Sequence, residues 1–224
     1  MTAKNFKLDM TYMYVFHDAI RRDLERIARF TARGSDEPTR MLRSAAGWEM
    51  FKKYLRIHHQ AEDDAVWPVM YEALADRPDD LALLDAMETE HAAIDPLLDS
   101  IDTALADRDG GSERLGGLVD SLFTNLTGHL RHEETEALAL IDATLTEAQW
   151  QHFGELQRNQ IGDDTRRYLP WLLDDTSAEH VAYILGVLPE PLRNAYHHEW
   201  QPAYVDLDPW GTAGRPAGRS VGSA

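Results

Sequence analysis

The sequence predicts an all-α protein: an antiparallel up-down-up-down four-helix bundle with additional C-terminal helices. Two observations lead there. Four long segments place apolar residues three and four apart, the spacing that draws one stripe along a helix. Short stretches rich in Gly, Pro, Asp and Ser separate them, and short connections between long helices make neighbours antiparallel.

The first helix is expected over residues 9–33, with Met13, His17, Ile20, Leu24 and Ile27 on one stripe. Gly34, Ser35, Asp36 and Pro38 then form a stop-and-restart signal. The second is expected over 39–75, with Leu55, His58, Glu62, Val66, Val69 and Met70 on one face; Pro68 should kink it or end its regular part. The third, over 80–107, carries Leu84, Met87, His91, Ile94, Leu98, Ile101 and Leu105, and Pro96 lies off that stripe, where it should bend the helix. The fourth, over 113–145, turns Leu122, Leu126, His129, Glu133, Ala137 and Leu140 inward. These four make a domain over 9–145. A fifth helix over 146–159 and shorter ones around 164–173, 177–188 and 191–204 form an extension (146–205) expected to pack on the bundle. The Gly/Ala/Ser/Pro-rich stretch 206–224 is expected to be a flexible tail.

Composition narrows the function. The 224 residues are 43% hydrophobic and 27% charged, so a core can be buried. A net charge of -17 repels phosphate backbones and anionic lipid, so neither a nucleic-acid nor a membrane partner is expected. The absence of cysteine excludes disulfides, iron–sulfur clusters and thiol catalysis. The opening MTAKNFKLDM holds no long apolar run, and no stretch approaches the roughly 20 apolar residues of a membrane span. A cytoplasmic location is the resulting expectation. The composition sets no oligomeric state.

The informative residues are polar groups on apolar stripes. His17, His58, His91 and His129 each sit on the inner face of a different helix, and His58 and His129 each have a glutamate four residues on, Glu62 and Glu133. Residues four apart stack on one helix face at roughly 6 Å. Each pair therefore presents an imidazole and a carboxylate to the bundle axis. Their depths also agree. The midpoint of His17 and His58 falls in the Gly34–Pro38 break, that of Glu62 and His91 at Asp76-Arg77, and that of His91 and His129 at Gly110. One histidine on an apolar face is usually a hydrogen-bonded core residue, and one HxxxE is usually a surface pair. Four level histidines with two matched HxxxE pairs are a different matter, because unpaired carboxylates in a core cost several kcal/mol each. Two cations satisfy all six groups, and imidazole with carboxylate suits iron, manganese or zinc. His17, His58, Glu62, His91, His129 and Glu133 are thus the candidate metal ligands.

The words FHDAIRRDL, HHQAEDDAVWPVM, ETEHAAID and HLRHEETEALALI, with the pattern His17 … His58-xxx-Glu62 … His91 … His129-xxx-Glu133, resemble the hemerythrin-like (HHE cation-binding) domain over about residues 9–145. The resemblance implies a four-helix bundle holding two non-haem iron ions per chain, bridged by carboxylates and by oxo or hydroxo. The oxygen-carrying members look like H–HxxxE–HxxxH–HxxxxD, with five histidines. Here the positions four residues either side of His91 are Met87 and Asp95, and the acid after His129 comes at four (Glu133), with Glu134 at five. The set is similar to a histidine-poorer, bacterial non-haem diiron type, which implies chemistry with O₂, H₂O₂ or NO rather than simple oxygen transport.

Two further residues are candidates for an additional ligand or for support behind the ligands. His59 lies about 100° around the helix from His58 and is expected on a flank, supporting rather than ligating. Tyr54, one turn before His58, can line the pocket or bond an iron-bound oxygen, or equally be a core tyrosine. His132 is expected to face solvent, as are His197 and His198, while His152 and His180 are isolated. A ferritin-like site needs Glu-x-x-His on two helices; only Glu88…His91 supplies one. No Ser–His–Asp set or phosphate loop is visible, and no catalytic acid or base is assigned. The functional expectation is a diiron redox protein that binds or turns over O₂, H₂O₂ or NO, with weak peroxidase-, catalase-like or NO-oxidising activity as the enzymatic form. The alternative is an iron- or oxygen-sensing module that reports through residues 146–205; ferritin-like iron oxidation or storage and a metal-free structural bundle are the remaining readings.

Overall fold

The computed structural model describes residues 6–31, 42 and 45–211. They form helices only; among the described residues there is no strand. Helix α1 is Thr11–Thr31, opened by the Asp9 carboxylate accepting from the Thr11 N–H at 2.9 Å. Its buried face carries Met13, Phe16, His17, Ile20, Leu24 and Ile27. The Gly34–Pro38 break, residues 39–41 and 43–44, and the chain beyond 211 lie outside the described residues.

Helix α2 is Ala46–Ala65 and α3 is Trp67–Ala73. They meet at Val66, because Pro68 has no N–H to give the Asp64 carbonyl and the α-helical ladder stops there. Helix α4, Pro78–Ala106, starts on a proline, which the first helical position tolerates. It runs on through Pro96, which lies on the exposed face.

The fourth expected helix is interrupted. Helix α5 (Gly111–His132) passes into a π-helical turn, Glu133–Ala137, before α6 (Leu138–Thr144). A π turn inserts one residue into an α-helix and recurs at functional sites. It advances the buried register: beyond it Leu138, Ile141 and Leu145 are wholly buried, and Leu140 sits at the margin.

Helices α7 (Glu147–Ile161), α8 (Thr165–Leu173), α9 (Ala178–Gly186), α10 (Glu190–Ala195) and α11 (Gln201–Leu207) follow, the last two joined by a π turn, Tyr196–Trp200. They pack on the bundle. A capping box between Thr146 and Gln149 starts α7, and Trp150 Nε1 donates to the Asp9 carbonyl at 3.0 Å. Buried Asp23 on α1 accepts from Trp171 Nε1 at 2.7 Å and from Arg22 and Arg26, whose guanidiniums also reach Asp174 and Asp175. The start of the expected tail is not loose. Trp210 is buried against Phe30, the Pro209 carbonyl accepts from Gly47 N–H at 2.8 Å, and a Cβ at Gly47 would overlap the Trp210 ring.

The apolar core falls into two clusters. One contains Phe16, Ile20, Leu55, Ile94, Leu126 and Leu130; the other contains Met13, Ala61, Trp67, Met87, Ala137 and Ile141. Between them, at one level of the bundle, lies a layer of histidine and glutamate.

Candidate metal centre

Each helix of the bundle delivers its polar residue to this layer because the residue occupies a stripe position: His17 between Met13 and Ile20, His91 between Met87 and Ile94, His129 between Leu126 and Ala137. The donors form two triads. His17, His58 and Glu133 bring one ligand atom each within 4.8 Å of one another, and so do His59, His91 and His129. Glu62 lies between them, with Oε1 3.2 Å from His58 Nε2 and Oε2 3.5 Å from His91 Nε2. Glu133 Oε2 is 3.2 Å from His17 Nε2.

All six residues read as ligands from the sequence come together here. His59 joins them, contrary to the flank position expected of it. It is buried, stacks on His91 with ring centroids 4.0 Å apart, and stands edge-on to His129 at 5.2 Å. The rotation between His58 and His59 carries the second imidazole into the groove toward α4 and α5, where the second triad forms. The cluster therefore has five histidines, not the four counted from the sequence. The doublet His58-His59, with Glu62 a turn beyond both, was the available signal.

Tyr54 is not part of the layer. Its hydroxyl donates to Asp164 Oδ2 at 2.8 Å, and its ring packs on Tyr168 and Trp171, so the pocket-lining reading is replaced by a core position. His132 does not simply face solvent; its Nδ1 bonds Glu90 at 2.9 Å. Glu88 is exposed and accepts from Tyr71, so the single ferritin-like pair does not reach the layer. His152, His197 and His198 are exposed.

Behind four of the imidazoles stands a partner at Nδ1. His17 donates to Glu134 at 2.9 Å, which Arg21 also holds at 2.8 Å; His91 donates to Asp63 at 2.9 Å; His129 donates to Glu90 at 3.0 Å. His58 Nδ1 lies 2.7 Å from the side-chain amide of Gln157. Sequence reading missed all four partners. The π turn lets consecutive acids serve one ring: Glu133 faces His17 Nε2 and Glu134 its Nδ1.

The inward atoms have no such satisfaction. The Nε2 atoms of His17, His58, His59, His91 and His129, and both carboxylate oxygens of Glu62 and of Glu133, are buried without a hydrogen-bond partner. Buried polar groups are paired almost without exception, so nine such atoms converging on one layer need something to hold. The protonation balance shows the same tension. Burial works to lower His17, but Glu133 and Glu134 outweigh it and push it up to about 9. Burial and the neighbouring Glu133 drive Glu62 well above the usual carboxylate range, while His17 holds Glu133 well below it against the pull of burial. Burial and neighbouring imidazoles push His58 and His59 well down. Imidazole nitrogens and carboxylate oxygens are the donors that transition-metal cations take, and the residues present fit a pair of them.

The sequence profile of the family described as Hemerythrin HHE cation binding domain matches residues 10–141. The chain belongs to that family. The match covers α1 through most of α6, and so every residue of the two triads. This hemerythrin-family chain is also 21% identical over 208 residues to a BRUTUS-like zinc finger protein of Arabidopsis thaliana; the alignment takes in 84% of this chain and 16% of that protein. The chain thus spans about a sixth of its relative's length. No solved structure matches. No described helix is long and apolar enough to cross a membrane.

Proposed function

We propose that the protein holds two non-haem iron ions and uses them to bind or turn over a small ligand such as O₂, H₂O₂ or NO. The observation that carries this reading is the convergence of nine buried donor atoms without hydrogen-bond partners, in two triads with Glu62 between them. His17, His58 and Glu133 would hold one ion, His59, His91 and His129 the other, and Glu62 both. An iron pair supplies one-electron redox steps and open positions for a small ligand.

The chain's own residues define the conditions. Glu134, Asp63 and Glu90 fix the imidazole tautomers and orientations by accepting at Nδ1, which leaves Nε2 as the donor. Phe16 packs on His58 and Trp67 on His91, and the two apolar clusters, the second with Met13 and Met87, flank the buried layer and shield it from bulk water. No described side chain is assigned as a general base.

Iron analysis with visible absorption tests the reading. Purified protein is expected to carry about two irons per chain and to show the absorption of a coupled ferric pair; protein replete with iron in its medium yet carrying none would contradict it. Chelation should lower the thermal midpoint, because binding to the folded state alone stabilises it. Addition of peroxide or NO separates an enzyme from a sensor. Sustained turnover supports catalysis, and a stoichiometric spectral change supports the sensory alternative, which the contact between α7 and His58 favours.

A further inference from the structure

We propose that Gln157 is a positioning residue for His58, so that the C-terminal extension belongs to the metal site and its docking is coupled to metal occupancy. This rests on the metal reading above and extends it to residues outside the matched segment 10–141.

Gln157 lies on α7, 99 positions from His58, and is only 3% exposed. It is the one neutral group among the four Nδ1 partners; the other three are carboxylates from the bundle itself. Its amide nitrogen lies 2.7 Å from His58 Nδ1, and its Oε1 is buried without a partner. In that orientation Nε2 donates to Nδ1, the imidazole proton sits on Nε2, and the lone pair needed for a metal is on the wrong nitrogen. A half-turn of the amide presents Oε1 instead. Oε1 then accepts from Nδ1–H, and His58 Nε2 is free to ligate. The positioning role requires the second orientation, in which Oε1 accepts from His58 Nδ1–H and the otherwise unpartnered oxygen is satisfied.

The amide cannot act unless α7 is seated. The same helix contributes Phe153, whose ring stands edge-on to His58 with centroids 6.1 Å apart, and Trp150, anchored to the Asp9 carbonyl. Metal on His58 therefore favours the docked α7, and docked α7 favours metal, by the same factor.

Two near-isosteric variants separate this role from packing. For packing alone, Gln157→Leu is the benign change in an apolar site and Gln157→Glu the harmful one. For an acceptor at Nδ1–H the order reverses. Fe(II) titration against a competing chelator, under anaerobic conditions, reads affinity; hydrogen exchange of α7 with and without Fe(II) reads coupling. Thermal unfolding of the metal-free forms confirms that each variant folds. The expected result is two irons in the unmodified protein, one of them bound about 10–100-fold more weakly in Gln157→Leu, and wild-type or tighter binding in Gln157→Glu. Iron should slow exchange in α7 of the unmodified protein and do so less in Gln157→Leu. Equal affinities in Gln157→Leu and the unmodified protein would overturn the proposal and leave the metal site standing. If Gln157→Leu fails to fold, Gln157→Glu decides: a weakened iron overturns the proposal. An unmodified protein that takes up no iron overturns the metal reading itself.

Discussion

The two triads share Glu62 but carry their charge differently. The His17–His58–Glu133 triad has a carboxylate among its inward donors, whereas the His59–His91–His129 triad offers imidazole nitrogen only. Outside the donors the difference is partly made up. Asp63 and Glu90 back the all-imidazole triad, against Glu134 and the neutral Gln157 behind the other. Negative charge is in direct contact in one case and one hydrogen bond removed in the other. A carboxylate in contact with a cation acts at shorter range than one behind an imidazole, so the triad with Glu133 should hold its ion more tightly.

The comparison can be broken most severely at its shared member. Glu62→Ala should lose both ions as read by iron content, while leaving the metal-free protein about as stable, because a buried acid whose oxygens have no hydrogen-bond partner has gone. Next come the unshared members. His129→Ala should lose the ion of the all-imidazole triad and keep the other, and His17→Ala should do the reverse; two irons retained in His129→Ala would contradict the assignment. Smaller effects come from the supporting acids. Asp63→Asn and Glu90→Gln should each weaken one ion by about 10–100-fold, in the triad that already holds its ion less tightly. The smallest effect on iron is that of Tyr54→Phe, which should leave iron binding unchanged and cost about 1.5–3 kcal/mol of stability, the worth of a hydrogen bond to the Asp164 carboxylate.

What the sequence revealed of this site has a physical logic. His17, His58, Glu62, His91, His129 and Glu133 were legible because each interrupts an apolar stripe, and the turns between helices bring the interruptions level. His59 was not, because it leaves the stripe by one residue, and only the position of α4 and α5 decides whether that direction meets solvent or a second imidazole. Asp63, Glu90 and Glu134 are charged residues beside the stripe, which in a sequence look like any solvated helix face. Gln157 has no periodic signature linking it to a histidine on α2. The π turn at Glu133–Ala137 likewise leaves no mark in a pattern read at α-helical spacing. Helix order followed from periodicity and proline chemistry; the departures are the start of the second helix at Ala46 after an extended Ala45, the π turns at Glu133–Ala137 and Tyr196–Trp200, and the docking of Trp210.

The central claim is that two separate cation positions flank Glu62. Anomalous diffraction at the iron edge from crystals of the iron-loaded protein tests it directly. Two peaks are predicted, one among His17, His58 and Glu133 and one among His59, His91 and His129, each adjacent to an oxygen of Glu62. A single peak, or iron bound elsewhere with these side chains turned from one another, would contradict it.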